Sequence, residues 1–280
     1  MKLIEPREGP PGESLAAIAR GRFQRIEGRP LFYSDWDRAL FMHFDVDRDV
    51  LQRHIPFELD LHHGRAVVSL VAFTMRGLRF PIGGRLGALL TAPGATHGLL
   101  NVRTYIRHND EVGIYFMREW IPNRLSILIG PRTYGLPYRY GKVAFQHDHE
   151  HGHLRGTVIP GGNCGRVVYE AEVDPEASYE PCADGTLSQF LLERYTAFTK
   201  WRQRARLFRI WHEPWLQTRP SVTILDDSAL TASGSWHSAA RLISANYSPG
   251  VRPVWIGRPW MAFGRTIPRL HRRKCRNYGR

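Results

Sequence analysis

The sequence has few cysteines, and those it has are widely spaced. Cys164, Cys182 and Cys275 are too few and too scattered for a disulfide framework or a zinc site. No apolar run approaches the roughly 18 residues that a membrane-spanning helix needs. The opening residues mix acids and prolines where a secretory signal peptide carries its apolar run. We therefore predict a reduced, cytoplasmic protein without a transmembrane segment.

Lysine is also rare, because arginine supplies all but four of the 39 basic residues. Acidic residues are absent from 228–280, so much of the net charge of +13 belongs to the end of the chain. The segment 258–280 interleaves basic residues with aromatic ones, a pattern typical of contact with nucleic acid or another anionic surface. A short basic terminus also stays solvated without any partner, and both interpretations remain open.

The hydrophobic fraction of 42% is large enough for a sizeable core and excludes a wholly disordered chain. Alternating apolar residues predict many short strands, at 39–47, 65–75, 99–107, 112–120, 137–147, 153–160, 166–173, 205–213 and 240–255. Short helices are predicted within 13–26, after Asp47, over 123–131 and from 186. This pattern favours one α+β domain built around a closed or strongly curved, mostly antiparallel sheet.

Several of these segments together resemble the YqjF-like domain of unknown function. They are LFMHFDVDRDVLQRHIPFELDLHHGRAVVSLVAFTMRGL, LLNVRTYIR, GIYFMREW, YGLPYRYG, LLERYTAF and YSPGVRPVW, spread over about 35–257. YqjF-like proteins are similar to the acetoacetate decarboxylase superfamily, which implies a cone-like antiparallel barrel that holds a small-molecule cavity. The resemblance also implies homo-oligomerisation. It divides the chain into an N-terminal arm (1–30), the domain (31–257) and a basic tail (258–280).

In acetoacetate decarboxylase the stretch that matches YGLPYR ends in Pro-Lys-Lys, and its first lysine forms a Schiff base with the substrate ketone. Here the two lysine positions carry Tyr138 and Arg139. A phenol cannot form an imine, and Lys142 lies roughly 13 Å further along the strand. We therefore expect a cavity for a small anionic carboxylate or oxo acid, with no cofactor. Tyr138 and Arg139 are the catalytic candidates, and an enzyme and a non-catalytic binding module both remain open.

The ligand-binding candidates lie on other predicted strands. Asn101, Arg103 and Tyr105 share one side of a strand, because side chains alternate. Arg103 either binds a ligand carboxylate bidentately or pairs with Glu119 on the neighbouring strand. His43 lies among large apolar residues, where a hydrogen-bonded core histidine and a base are both compatible with the sequence. The candidate binding set is therefore Arg103, Asn101, Glu119 and His43.

Two histidine-containing segments complete the candidates. The alternating histidines of 147–153 suit a divalent-metal patch, but Gly152 indicates a hairpin turn that disperses them. We favour a solvated turn and predict no metal site. Trp211, His212 and Trp215 form an aromatic cluster that suits either core packing or a cavity wall, and we favour core packing.

Overall fold

A computed structural model describes residues 14–24, 30–81, 96–162, 164–201 and 204–261. Within these ranges lie four short α-helices, α1 (Leu15–Arg22), α2 (Arg48–Gln52), α3 (Arg124–Thr133) and α4 (Leu187–Leu192), and two 3₁₀ helices, Ser228–Ser233 and Ser235–Ala239. The strands are β1 (Phe32–Val46), β2 (Glu58–Leu59), β3 (Ala66–Arg79), β4 (His97–His108), β5 (Glu111–Ile121), β6 (Tyr138–Asp148), β7 (His153–Pro160), β8 (Val167–Glu172), β9 (Thr196–Trp201), β10 (Arg204–Trp211), β11 (Ser221–Asp226), β12 (Arg241–Ile256) and β13 (Trp260–Met261).

The strands form one large, mostly antiparallel sheet, in the order β11-β8-β7-β6-β5-β9-β10-β12-β1-β3-β4-β2. Strand β5 also pairs with β4, so the path from β5 through β9, β10, β12, β1, β3 and β4 returns to β5. These pairings close a ring of strands. Among the described strands, only the pairs of β5 with β6 and with β9 are parallel. The mostly-sheet α+β class predicted from the sequence is confirmed.

Both sides of the long ring strands are buried, and each side belongs to a different hydrophobic core. The first core takes in Leu40 and Met42 from β1, and it extends to β7 and β8 through Val158 and Tyr169. The second core takes in the intervening Phe41, together with residues from every strand of the ring. Near-continuous apolar runs such as AVVSLVAF follow from this burial on both sides.

The predicted strands all form, but some boundaries differ. Strand β1 begins at Phe32 rather than at residue 39, because Arg38 takes a positive φ of 55° and breaks the alternation on which the prediction depended. The short strands β2, β11 and β13 were not predicted. The hairpin turn at Gly152 is confirmed between β6 and β7, where this glycine has a φ of 80°.

The predicted helix caps are present. Asp47 Oδ1 accepts a hydrogen bond from Val50 N at 2.8 Å, and Asn123 Oδ1 accepts one from Ser126 N at 2.9 Å. The predicted end of α3 at Pro131 is wrong, since the helix continues to Thr133. The proline removes one N–H donor, but Tyr134 N still donates to Gly130 O at 2.8 Å and closes the last turn.

The described part of the N-terminal segment packs on the domain. Helix α1 buries Ala16, whose carbonyl accepts a hydrogen bond from Trp211 Nε1 at 3.0 Å. At the other end, β13 pairs with β10. Residues 262–280 of the basic tail lie outside the described residues, so contact of the tail with nucleic acid stays a prediction. None of the described helices is both long enough and apolar enough to cross a membrane.

Candidate functional site

Strand β4 places the predicted polar residues beside the second core. Tyr105 belongs to that core, whereas Val102 and Ile106 belong to the first. By alternation, Asn101 and Arg103 therefore point to the same side as Tyr105. All three are buried, and Arg103 keeps only 7% of its surface exposed. The shared side predicted from the sequence is confirmed.

Glu119 reaches this side of the sheet through an irregularity in β5. Arg103 pairs with Phe116, but the preceding Val102 pairs with Arg118, so β5 has one extra residue between these pairs. A bulge of this kind reverses the side on which the following residues point. Phe116 and Ile121 both belong to the second core, and the bulge brings Glu119 to the same side.

Arg103 has no carboxylate partner among the described residues. Its Nη2 donates to Leu191 O at 3.0 Å, and its guanidinium carbon lies 5.5 Å from the centre of the Phe41 ring. Its Nε is buried without a hydrogen-bond partner. The ion pair between Arg103 and Glu119, one of the two alternatives from the sequence, is absent from the described ion pairs. That alternative is wrong, since the two side chains share a side without meeting.

A second buried arginine, Arg194, does have a carboxylate partner. Arg194 lies near the same Tyr105 ring, at 5.5 Å from its centre, and its Nη1 donates to Asp60 Oδ2 at 2.8 Å. Asp60 therefore neutralises Arg194. Arg103 has no such counter-charge among the described residues.

His43 lies in a chain of buried hydrogen bonds. Its Nδ1 is 2.7 Å from Ser69 Oγ, which in turn is 2.7 Å from the Tyr105 hydroxyl. Its Nε2 is 3.1 Å from Asn246 Oδ1. Burial, and then the charge of Arg103, lower the pKa of His43 to about 3, so the ring is neutral at pH 7. The structure therefore shows His43 as a hydrogen-bonded core histidine.

His212 is buried in aromatic packing, the role that the sequence argument favoured for it. Its Nδ1 donates to Glu213 O at 2.7 Å, and its ring lies 5.0 Å from that of Trp215. Burial and the charge of Arg103 lower its pKa to about 4. The charge of Arg103 thus acts on both histidines, and both imidazoles are neutral at pH 7. The aromatic run 211–215 was visible in the sequence, but its packing against Trp36 and Phe41 of β1 was not.

Asn101 and Glu119 face each other on neighbouring antiparallel strands. Both are buried, and neither Asn101 Oδ1 nor Glu119 Oε2 has a hydrogen-bond partner. Burial raises the pKa of Glu119 to about 8, so this carboxyl is largely protonated at pH 7. Buried polar atoms are usually hydrogen-bonded, so these two neighbouring atoms without partners are candidates for contact with a bound molecule.

Tyr138 begins β6 beside Glu119, and its half-buried ring packs against Gly130 of α3, where a Cβ would lie 2.5 Å from Tyr138 Cε2. Burial and the neighbouring Glu119 and Tyr134 raise the pKa of Tyr138 well above 10. The phenol therefore stays protonated, which suits a hydrogen-bond donor and not a base.

The remaining candidates of β6 lie away from Arg103. Arg139 is exposed and points to the opposite side from Tyr138, with its Nη1 donating to Tyr138 O at 3.0 Å. Lys142 is exposed as well. The structure thus brings together Asn101, Arg103, Glu119, His43 and, at the edge, Tyr138, but it does not bring Arg139 to them. A catalytic role for Tyr138 and Arg139 stays a prediction.

The histidines of 147–153 do not form a metal patch in the described structure. His147 is buried, where its Nε2 is 2.8 Å from the Tyr169 hydroxyl and its Nδ1 is 2.7 Å from Arg38 O. His151 instead contacts Asp148 at the exposed turn. The description as a solvated turn is therefore wrong for His147, because the alternation of β6 turns this residue inward. No metal-binding group of three or more ligands occurs in the described ranges.

A cleft of about 460 Å³ lies elsewhere, between α1, α4 and the start of β5. Its charged side chains already have partners, as Arg209 and Arg22 contact Glu111 and Arg194 contacts Asp60. None of the six candidates predicted from the sequence lines this cleft. The cluster around Arg103 is therefore a separate, more deeply buried feature.

The comparisons with known proteins agree with this architecture. The family model DUF2071, described as an uncharacterized conserved protein, matches residues 33–252. The chain belongs to this family. It is 30% identical to the uncharacterized protein YqjF of Bacillus subtilis (strain 168) over 203 residues, which cover 71% of this chain and 80% of that one.

Solved structures with a similar fold are acetoacetate decarboxylase-like proteins. An acetoacetate decarboxylase-like enzyme from Sphingomonas wittichii RW1 has a TM-score of 0.56 at 15% identity, covering 83% of this chain and 93% of its own. The acetoacetate decarboxylase of Legionella pneumophila has a TM-score of 0.55 at 13% identity, covering 92% and 98%. The enduracididine biosynthesis enzyme MppR, complexed with pyruvate, has a TM-score of 0.56 at 14% identity, covering 84% and 91%. The fold is therefore acetoacetate decarboxylase-like.

Proposed function

We propose that this protein binds a small carboxylate on the second-core side of the strand ring, with Arg103 as the cationic partner of the carboxylate. The observation that carries the proposal is the buried guanidinium of Arg103, which lacks a counter-charge among the described residues. A buried charge without a partner is costly. A ligand carboxylate offsets that cost through charge-assisted hydrogen bonds, including one from the orphaned Nε.

The charges around Arg103 favour a ligand with a single negative charge. His43 and His212 are neutral at pH 7 because their pKa values are lowered, and Glu119 is largely protonated because its pKa is raised. Asp60 neutralises Arg194. The cluster therefore has one uncompensated positive charge, and the apolar ring of Phe41 lies 5.5 Å from the guanidinium carbon.

This binding does not depend on a Schiff base. The position that matches the reactive lysine of the decarboxylases holds Tyr138, and the described lysines lie at an exposed place on β6 and near the end of β9. A likeness to MppR, solved with pyruvate, supports small oxo acids as probes but does not carry over that protein's chemistry. The proposed function is the binding of a small carboxylate and includes no reaction of the bound molecule.

Isothermal titration calorimetry with matched ligand pairs tests the proposal. Pyruvate and lactate are compared with pyruvamide and lactamide, which keep the size but lose the charge. We expect at least one carboxylate to bind about tenfold or more tightly than its amide, because the amide leaves Arg103 unpaired. Equal affinities for acid and amide would show that Arg103 is not the anchor.

A further inference from the structure

Three buried polar atoms without partners lie on one side of two neighbouring strands. They are Arg103 Nε, Asn101 Oδ1 and Glu119 Oε2. Asn101 and Glu119 are directly opposite each other, so their Cβ atoms lie roughly 5 Å apart. Arg103 is two residues further along β4, so its Cα atom lies roughly 7 Å from that of Asn101. A molecule of a few carbon atoms spans that distance.

The hydrogen-bonding atoms of Arg103, on one side, and of Asn101 and Glu119, on the other, specify the groups that the ligand must carry. Arg103 offers only donors and requires an anion. Asn101 Oδ1 is an acceptor and requires a donor from the ligand. A ketone oxygen only accepts, so an oxo acid leaves Asn101 Oδ1 unpaired.

A hydroxyl group meets the requirement and an ammonium group does not. A hydroxyl donates to Asn101 Oδ1 and accepts from Asn101 or from the carboxylic acid of Glu119. An ammonium would lie near the charge of Arg103 without an ionised carboxylate to balance it, since Glu119 is mostly protonated at pH 7. The cluster therefore discriminates against amino acids as well as against oxo acids.

We propose that the preferred ligand is a small hydroxy acid, whose carboxylate binds Arg103 and whose hydroxyl lies between Asn101 and Glu119. This inference rests on the proposed function, because it names the ligand class of the same site. It adds a specificity-determining role for Asn101, whose buried amide penalises any ligand that cannot donate a hydrogen bond.

Calorimetric titration of the full chain at pH 7 tests the inference with hydroxy and oxo acids of equal length. The pairs are lactate with pyruvate and 3-hydroxybutyrate with acetoacetate, each hydroxy acid as both enantiomers. Two chain lengths are tested because the distance between the carboxylate and the hydroxyl differs between a 2-hydroxy acid and a 3-hydroxy acid. We expect one hydroxy acid to bind about tenfold or more tightly than its oxo partner.

Two variants then test whether Asn101 is responsible for the preference for hydroxy acids over oxo acids. Asn101→Ala removes the acceptor that lacks a partner. We therefore expect it to lower the affinity for the hydroxy acid and to change the affinity for the oxo acid by less than about threefold. The ratio of the two affinities then falls towards one. Gln146→Ala, at an exposed position on β6, serves as the control and keeps the ratio. Oxo acids that bind as tightly as hydroxy acids would overturn the inference and leave carboxylate binding intact. Failure of all carboxylates to bind would overturn the proposed function itself.

Discussion

Glu119 lies on the same side of the sheet as Arg103 because β5 carries one extra residue between Phe116 and Arg118. Neither side chain neutralises the other, and a polar atom of each remains without a hydrogen-bond partner. The arrangement retains a buried arginine and a buried carboxyl group on one side of the sheet, in place of an internal ion pair. That separation is the basis of the proposal that both groups contact a ligand.

The raised pKa of Glu119 predicts a specific dependence of stability on pH. The native carboxyl keeps its proton up to about pH 8, whereas the unfolded carboxyl loses it near pH 4.5. Between these values the native state binds more protons, so this group makes the free energy of unfolding fall as the pH rises, by up to about 1.4 kcal/mol per pH unit.

Glu119→Gln removes this dependence, because glutamine does not titrate. We expect the variant to gain stability relative to the wild type as the pH rises from 5 to 8, measured by urea unfolding. Glu170→Gln, at an exposed and ion-paired position, provides the control and follows the wild type. A constant difference between Glu119→Gln and the wild type over this range would contradict a buried, protonated Glu119.

The buried histidines predict a pH effect of opposite sign. His43, His147 and His212 stay neutral in the native protein down to about pH 3 or 4, while the unfolded chain binds protons near pH 6.5. The stability from each is therefore complete above pH 6.5 and falls as the pH is lowered, by up to about 1.4 kcal/mol per pH unit.

His43→Gln should make the loss of stability between pH 6.5 and 4 less steep, although it also lowers the stability at pH 7 by disturbing the hydrogen bonds to Ser69 and Asn246. His153→Gln, at an exposed position on β7, is the matched control. If both variants kept the wild-type slope, His43 would not be excluded from protonation in the native state.

Tyr138 stands at the position that matches the reactive lysine of acetoacetate decarboxylase, and we therefore predict that no imine forms. Incubation with pyruvate or acetoacetate followed by borohydride reduction should leave the mass of the intact protein unchanged, because Tyr138 cannot form a reducible adduct. Mass spectrometry of the reduced protein checks this. An adduct on Lys142 or Lys200 would show that another lysine has taken over the role.

The strand pattern and the resemblance to a known family gave most of the fold from the sequence. Strict alternation along β4 also gave the shared side of Asn101 and Arg103. The position of Glu119 was not accessible in the same way, since the bulge in β5 leaves no composition signal and reverses the side. Asn246 contacts His43 and Trp215 contacts Phe41 from positions far along the chain, which local periodicity does not detect. Arg139 was predicted from its position beside Tyr138, but neighbouring residues of a strand point to opposite sides.

Titration of the Arg103→Gln variant with the tightest-binding small carboxylate tests the central claim most directly. Arg155→Gln is the matched control, because this arginine is exposed and pairs with Glu170 on the surface. The account predicts that Arg103→Gln weakens carboxylate binding by about tenfold to a hundredfold, while Arg155→Gln leaves it unchanged. Circular dichroism confirms that both variants are folded. A folded Arg103→Gln variant that binds the carboxylate with wild-type affinity would contradict the account.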